Sequence, residues 1–173
     1  MNTIRKAELA DLPEIYRIQD VPFRDHVFIE PLESMDEFIR DTRRRMEADG
    51  ESYYVQESEG SIVGFIRLLK KNDWEVLTWG KWLNTLLYAT GIVAFEKMGL
   101  PKVIFAVRFD NKRVVHLYKK HEFRNVGQDF VCYRPNILAS IRTTNVTLYE
   151  ITAEEFWAKA EEMKKNSLPL KFL

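Results

Sequence analysis

Alternating apolar and polar positions predict several short β-strands in this chain. The predicted strand segments are, in order, TIRKAEL, SYYVQES, SIVGFIRLLK, WEVLTW, KVIFAVRF, QDFVCYR and TNVTLYEI. Turns at Glu59-Gly60 and Asn72-Asp73 connect the second, third and fourth segments, which indicates an antiparallel meander. KVIFAVRF is apolar at almost every position, as expected for a central strand that is buried on both faces.

Apolar residues at helical spacing predict five helices, and capping signals begin three of them. These signals are Asp11, Ser34 with Glu37, and Thr152 with Glu155. A mostly buried helix over residues 83–98 ends at Gly99 and connects WEVLTW to KVIFAVRF as a parallel crossover. The pattern predicts an α+β fold: a mixed, mostly antiparallel sheet of about seven strands, flanked by helices and containing one parallel β-α-β crossover.

The helix that follows KVIFAVRF carries the most informative side chains. Asn111 begins the segment NKRVVHLYKKHEF, and its side-chain oxygen is placed to accept from free backbone N–H groups of the first turn. Val114, Leu117 and Tyr118 share one face, so we expect Tyr118 to point toward the sheet. We favour a functional tyrosine at position 118, and an ordinary core tyrosine with a satisfied hydroxyl is the alternative.

The spacing N-x-x-x-x-x-L-Y-x-K-x-x-F after a hydrophobic strand resembles the second conserved block of the GNAT superfamily of acyl-CoA N-acyltransferases. The resemblance covers most of the chain, because the predicted order of strands, crossover and helices is the one this superfamily shares. TNVTLYEITAEEFW is similar to the closing strand and helix of the branch that acetylates ribosomal-protein N-termini, polyamines and nucleotide-linked amino sugars. The resemblance implies acetyl-CoA as co-substrate, with Asn111 near its pantetheine arm and Tyr118 near its sulfur as general acid.

One segment departs from the family pattern. GNAT enzymes carry Q/R-x-x-G-x-G/A before the crossover helix, where small residues let backbone amides hold the cofactor pyrophosphate. This chain has WGKWLN there, so Trp79, Trp82 and Asn84 replace the arginine or glutamine and the two small residues. Capping by Asn84 or Thr85 would still leave amides for an anion, and Lys81 would add a charge.

The resemblance also implies that a backbone N–H in residues 76–79 stabilises the oxyanion that forms when an amine attacks the thioester. The resulting set of candidate cofactor-binding residues is Leu77, Trp79, Lys81, Asn84, Thr85, Asn111 and Tyr118. Tyr118 is the candidate acid, and the base is left open among Glu75, Glu30 and His26. Taken singly, Glu75 as a solvent-facing strand residue and His26 as a surface-loop residue remain the simpler interpretations.

The connection at residues 23–30 lies where GNAT acceptors usually enter. It mixes aromatic, charged and imidazole side chains that suit a small amine or amino sugar, and a partly packed loop is the equally open alternative. The candidate acceptor-binding residues are Phe23, Arg24, His26 and Glu30.

Length and composition set the remaining expectations. The chain has 173 residues, 46% of them hydrophobic, which suits one domain over residues 1–173 with a C-terminal helix and tail at 152–173. Lys plus Arg and Asp plus Glu are 26 each, so no net field favours nucleic acid as a partner. No leader pattern and no long apolar run is present, and we therefore expect a cytoplasmic protein without membrane contact.

Cysteine and histidine usage argues against a metal centre. Cys132 is the single cysteine, which excludes an internal disulfide and a cysteine-built metal site. His116 and His121 have no neighbouring ligand pattern, so we expect no metal.

Three hypotheses follow from the sequence. The first is an N-acetyltransferase that moves an acetyl group from acetyl-CoA to a primary amine of a small molecule, such as an amino sugar or polyamine, or of a peptide N-terminus. The second is a non-catalytic GNAT-fold binding module, suggested by the large residues in WGKWLN. The third is an unrelated α+β interaction domain that lacks the crossover. A homodimer is possible if the exposed strand TNVTLYEI pairs with its copy, unless the tail LPLKFL covers it.

Overall fold

A computed structural model describes residues 2–21, 33–71, 73–133 and 142–173. The strands of the described part form one sheet of eight, in the order β6-β7-β5-β4-β3-β2-β1-β8. Their bounds are β1 Asn2–Lys6, β2 Glu51–Ser58, β3 Ser61–Lys70, β4 Trp74–Gly80, β5 Lys102–Arg108, β6 Arg124–Tyr133, β7 Arg142–Thr152 and β8 Leu170–Phe172.

The predicted helices are present. They are α1 Leu12–Gln19, α2 Met35–Glu47, α3 Leu83–Gly91, α4 Lys112–Lys120 and α5 Ala153–Lys165, and a π-helical segment Ile92–Lys97 continues α3. Both predicted capping boxes are confirmed, at Ser34 and at Thr152. Asp11 does occupy the N-cap of α1, but its carboxylate makes no cap there. It accepts instead from Glu8 N and from the Arg5 guanidinium, in a short 3-10 turn ahead of the helix.

The sheet has the predicted connectivity. Strands β2, β3 and β4 form an antiparallel meander, and α3 then crosses over so that β5 lies parallel to β4. Strand β7 pairs antiparallel with both β5 and β6. The α+β prediction with one β-α-β crossover is therefore confirmed, and the hypothesis of a domain without that crossover is wrong.

Hydrophobic clusters cover the two faces of the sheet. Helices α3, α4 and α5 pack on one face, where Phe105 of β5 and Phe156 of α5 are fully buried. Helices α1 and α2 pack on the other face, around Phe65 of β3. Gly91 lets α3 approach α5 closely, because a β-carbon at this position would overlap the Phe156 ring.

Two expectations about strands are wrong. TNVTLYEI is not an edge strand, since it lies inside β7 between β5 and β6, and β6 forms that edge of the sheet. The tail pairs as β8 with β1 at the opposite edge, so it does not cover TNVTLYEI. Strand β5 is fully buried on one face only, because Ile104 and Ala106 on its other face are half-buried.

Candidate active site

The site begins where two parallel strands separate. Strands β4 and β5 pair only at Glu75 with Ile104 and at Val76 with Phe105. Beyond Val76, β4 continues along β3 as far as Gly80, while β5 continues along β7 as far as Arg108. The backbone groups of residues 77–80 that point toward β5 therefore have no strand partner there, and a cleft of about 720 Å³ lies between the strands.

The walls of this cleft are mostly apolar. Its described lining residues are Ile18, Val21, Ser61, Ile62, Val63, Val76, Leu77, Thr78, Trp79, Gly80, Lys81, Leu83, Ala106, Val107, Asn111, Arg113, Val114 and Tyr118. None of them is acidic, and two are cationic, Lys81 and Arg113. The volume lies in the range typical of sites for small molecules and cofactors.

Tyr118 lies on the α4 side of the cleft. Its side chain is 5% exposed and packs against Phe105, Phe123 and Tyr149, with ring centroids 5.1 to 5.3 Å apart. Its hydroxyl makes no hydrogen bond with any residue in the described part of the chain. Burial raises the pKa of Tyr118, and the neighbouring Tyr149 adds to the rise. The hydroxyl therefore keeps its proton at neutral pH and is available as a donor to a group in the cleft.

Asn111 fixes the start of α4. Its side-chain oxygen accepts from Val114 N at 3.4 Å, as the sequence predicted. Tyr118 follows seven residues later, about two helical turns on, and so both residues line the cleft from the same side of the helix. The Asn111 cap thus sets the direction in which α4 presents Tyr118.

The WGKWLN segment turns through two residues with positive φ, Gly80 and Trp82. Trp82 adopts φ 57° and ψ 64°, a left-handed conformation that costs about 1–2 kcal/mol for a residue with a side chain. Gly80, at φ +145°, lies so close to β3 that a β-carbon would overlap the backbone of Gly64. Trp82 therefore has a backbone conformation that glycine adopts more readily, and its side chain is 43% exposed.

The prediction that Asn84 or Thr85 caps the crossover helix is wrong. Helix α3 begins at Leu83 with Trp82 as its N-cap residue, and no side chain caps it. Thr85 is buried, and its hydroxyl oxygen accepts from Leu168 N at 3.0 Å. Asn84 is exposed, and its backbone carbonyl accepts from the Ser167 hydroxyl at 3.3 Å. Neither of them lines the cleft.

Trp79 and Glu75 lie at opposite ends of β4. The Trp79 indole donates from Nε1 to the Ile18 carbonyl at 2.7 Å, which ties the end of α1 to the wall of the cleft. Glu75 lies on the paired part of β4, where its carboxylate accepts from Lys71 Nζ at 2.8 Å. It does not line the cleft, so the structure does not bring this candidate base together with Tyr118.

The remaining sequence candidates divide into two groups. Leu77, Trp79, Lys81, Asn111 and Tyr118 line the one cleft. The acceptor candidates Phe23, Arg24, His26 and Glu30 lie outside the described residues. Among the residues that are described, no group of three or more His, Cys, Asp or Glu could hold a metal ion, and no helix is long and apolar enough to cross a membrane.

Sequence reasoning did not identify Arg113 or the residues that β3 contributes. Arg113 lies two residues after Asn111, in the first turn of α4. Its position beside the predicted Asn111 cap is the sequence feature that could have indicated a site residue. Ser61, Ile62 and Val63 join the cleft through the register of β3 against β4, which the sequence alone does not specify.

Comparison with known proteins agrees with this architecture. A model of the acetyltransferase (GNAT) family matches residues 12–123, and the chain belongs to that family. Family membership makes it an acyltransferase. A comparison with curated proteins gives no match.

Solved structures share the whole fold. Spermidine N-acetyltransferase from Vibrio cholerae in complex with CoA and spermine is 20% identical, with a TM-score of 0.73, over 90% of this chain and 98% of that chain. Spermidine/spermine N-acetyltransferase from Vibrio cholerae in complex with manganese ions is 22% identical, with a TM-score of 0.69, over 91% and 96%. A dodecameric structure of the Vibrio cholerae spermidine enzyme in an intermediate state is 20% identical, with a TM-score of 0.66, over 90% and 95%. Identities this low show the fold alone.

Proposed function

We propose that this protein is an N-acetyltransferase that moves an acetyl group from acetyl-CoA to a primary amine by direct attack. The acceptor is a small molecule, such as an amino sugar or polyamine, or a peptide N-terminus. The observation that carries the proposal is the cleft between β4 and β5, which has the Tyr118 hydroxyl, buried and without a hydrogen bond among the described residues, in its wall.

The polarity of the cleft suits the donor. A pantetheine arm carries amide groups along an apolar chain, and residues 77–80 offer it backbone groups that lack a partner in β5. The apolar walls, among them Val76, Val107 and Val114, suit its methylene groups. At the thioester, a backbone N–H of residues 77–79 is the candidate donor to the carbonyl oxygen as negative charge develops there.

The reaction balances with these groups. The amine nitrogen forms a bond to the thioester carbon, the carbon–sulfur bond then breaks, and its electron pair leaves with the sulfur. The Tyr118 hydroxyl stays protonated because its pKa is raised, so it can donate a hydrogen bond to the sulfur as charge develops there, and the proton that the amine releases balances the thiolate. The attacking nitrogen loses its proton to water or to a side chain, and the Glu75 ion pair with Lys71 disfavours Glu75 in this role.

The acceptor is proposed from family and chemistry. Spermine occupies the Vibrio cholerae enzyme named above, which makes polyamines the first amines to test. The predicted acceptor residues Phe23, Arg24, His26 and Glu30 remain part of this proposal, as does a cytoplasmic location. A homo-oligomer also remains proposed, since one structural neighbour is dodecameric.

Calorimetric titration with acetyl-CoA, with dephospho-CoA and ATP as controls for simple anion binding, tests the donor. We expect saturable one-site binding that prefers acetyl-CoA. Thiol release measured with a panel of polyamines, amino sugars and peptides then identifies the acceptor. If acetyl-CoA binds and no amine stimulates thiol release, the hypothesis of a non-catalytic binding module is preferred to that of an enzyme. If no acyl-CoA binds at near-millimolar concentration, the proposed donor is wrong.

A further inference from the structure

We propose that Lys81 and Arg113 together bind the phosphate groups of the acyl donor by side-chain charge, in place of the backbone-only cradle of a glycine loop. This inference rests on the proposed function, because it assigns the anionic end of the same donor. Lys81 follows β4 and Arg113 lies on α4, so the two cations approach the cleft from separate elements.

The charge of the cleft is one-sided. Lys81 and Arg113 are both exposed, and neither forms an ion pair with any carboxylate in the described part of the chain. None of the described residues in the cleft wall is acidic. Other basic side chains near strand ends do have a carboxylate partner, as Lys71 has Glu75 and Lys102 has Glu150. Uncompensated positive charge at one cleft is the complement of an anionic ligand.

The position of Arg113 gives no benefit to its own helix. Cations oppose the dipole at a helix N-terminus, and α2 and α5 accordingly carry acidic residues in their first turns. Helix α4 has no acidic residue in its first turn and has Lys112 and Arg113 there instead. Arg113 lines the cleft at that end and Lys112 does not, so the charge of Arg113 and the helix dipole act in the same direction on an anion in the cleft.

A second observation is a polar group in the apolar wall of this cleft. Tyr118 is buried, lines the same cleft and has a hydroxyl without a hydrogen-bond partner among the described residues. The cleft therefore combines a proton donor in an apolar wall with two exposed cations. An acyl-pantetheine that ends in phosphates carries matching groups along its length: a reactive carbonyl, an apolar arm and a multiply charged end.

Trp82 explains why side chains would take this role. In a glycine loop the absent side chain leaves room for a phosphate to approach the backbone amides. Trp82 has the backbone conformation of such a glycine but adds an indole beside Lys81. Flexible cations such as Lys81 and Arg113 reach a phosphate without that close approach, and a guanidinium can bind two of its oxygens at once.

The test compares two donors that differ only in their anionic end. Wild type, Lys81→Gln, Arg113→Gln, Arg113→Lys and the control Lys112→Gln are titrated with acetyl-CoA and with S-acetylpantetheine, which has no phosphate. Trp79 lines the cleft, so its fluorescence reports occupancy by either ligand. Lys112 precedes Arg113 in the same helical turn and carries the same charge, but it does not line the cleft.

We expect Lys81→Gln and Arg113→Gln each to weaken acetyl-CoA binding about 10-fold and to leave S-acetylpantetheine binding unchanged. Arg113→Lys should restore part of the loss, and Lys112→Gln should lose less than twofold. The salt dependence of acetyl-CoA binding should also become shallower in both glutamine variants. Thermal melting should match wild type, because neither side chain has a partner to lose among the described residues.

The outcomes separate the two proposals. If wild type binds neither ligand, the proposed donor is wrong and the phosphate assignment falls with it. If wild type binds both ligands equally well, or if Arg113→Gln and Lys81→Gln behave like Lys112→Gln, the phosphate assignment alone is wrong. Equal losses for the two ligands would likewise overturn it, since the charge would then act on a part that both donors share.

Discussion

Replacing Tyr118 by phenylalanine separates a catalytic hydroxyl from a structural one. The ring packs among Phe105, Phe123 and Tyr149 and stays in place in the variant, because only one oxygen atom is removed. That oxygen makes no hydrogen bond within the described part of the chain. The hydroxyl oxygen faces the cleft and is not one of the fully enclosed unpartnered polar atoms of the described residues, so its removal loses no protein hydrogen bond and little solvation energy. Tyr118→Phe should therefore be as stable as wild type or more stable, by up to about 1 kcal/mol.

The rate should change in the opposite direction. General acid catalysis typically contributes 10²- to 10⁴-fold, and a thiolate is a good leaving group, so we expect a loss in kcat of about 10²-fold. Burial raises the pKa of Tyr118, which keeps the hydroxyl protonated from pH 6 to 9. The loss should accordingly be uniform over that range rather than appear as one limb of a pH profile.

The assay is thiol release from acetyl-CoA with the best amine of the panel, together with urea unfolding of the same variants. Tyr149→Phe is the matched control, because it removes a hydroxyl from a neighbouring ring of the same cluster that does not line the cleft. Full turnover by Tyr118→Phe at every pH would refute the acid role. A loss of stability above about 2 kcal/mol would show that the hydroxyl has a structural partner.

Three further predictions concern the framework of the site. Gly80→Ala should destabilise the protein by about 2 kcal/mol or more, because its β-carbon overlaps the backbone of β3 and its φ disfavours a side chain; an unchanged urea midpoint would contradict this. Burial raises the pKa of Tyr53 to about 12, against about 10 when unfolded. As the pH rises, the unfolded chain loses this proton before the folded chain does. The free energy of unfolding therefore falls between pH 10 and 12, by up to about 1.4 kcal/mol per pH unit. Urea titrations at pH 9, 10 and 11 should show a smaller fall for Tyr53→Phe than for wild type. Glu51→Gln removes the buried carboxylate that binds Arg45 and Arg67. Chemical denaturation should show that the free energy of unfolding falls by about 3 kcal/mol. A fall below about 1 kcal/mol would mean that solvent already screens both guanidinium groups.

Much of the fold was predictable because its signals are local. Ser34 with Glu37 and Thr152 with Glu155 are short-range capping patterns, and both form as predicted. The meander and the crossover follow from strand spacing and from the handedness of parallel connections. Asn111 was predictable for the same reason, since its cap depends on residues within one turn.

The errors arise where long-range packing decides. Leu170–Phe172 is a three-residue strand whose partner is β1 at the other end of the chain, and no local pattern identifies it. Thr85 looks like a cap from its neighbours alone, yet the structure uses its hydroxyl to accept from Leu168 N. Arg113 is one of several cations along α4, and only the tertiary structure brings it into the same cleft as Lys81.

The two-residue pairing between β4 and β5 has a consequence for the exchange of backbone amide hydrogens. Strands β8, β1, β2, β3 and β4 form one continuous ladder, and β5, β7 and β6 form another, joined at Glu75 and Val76. Amides of residues 77–80 that face the gap have no ladder bond to slow their exchange with deuterium, unlike those within β3. A ligand in the cleft takes the place of the missing strand neighbour. The sheet would then exchange as a single protected unit only when the donor is bound.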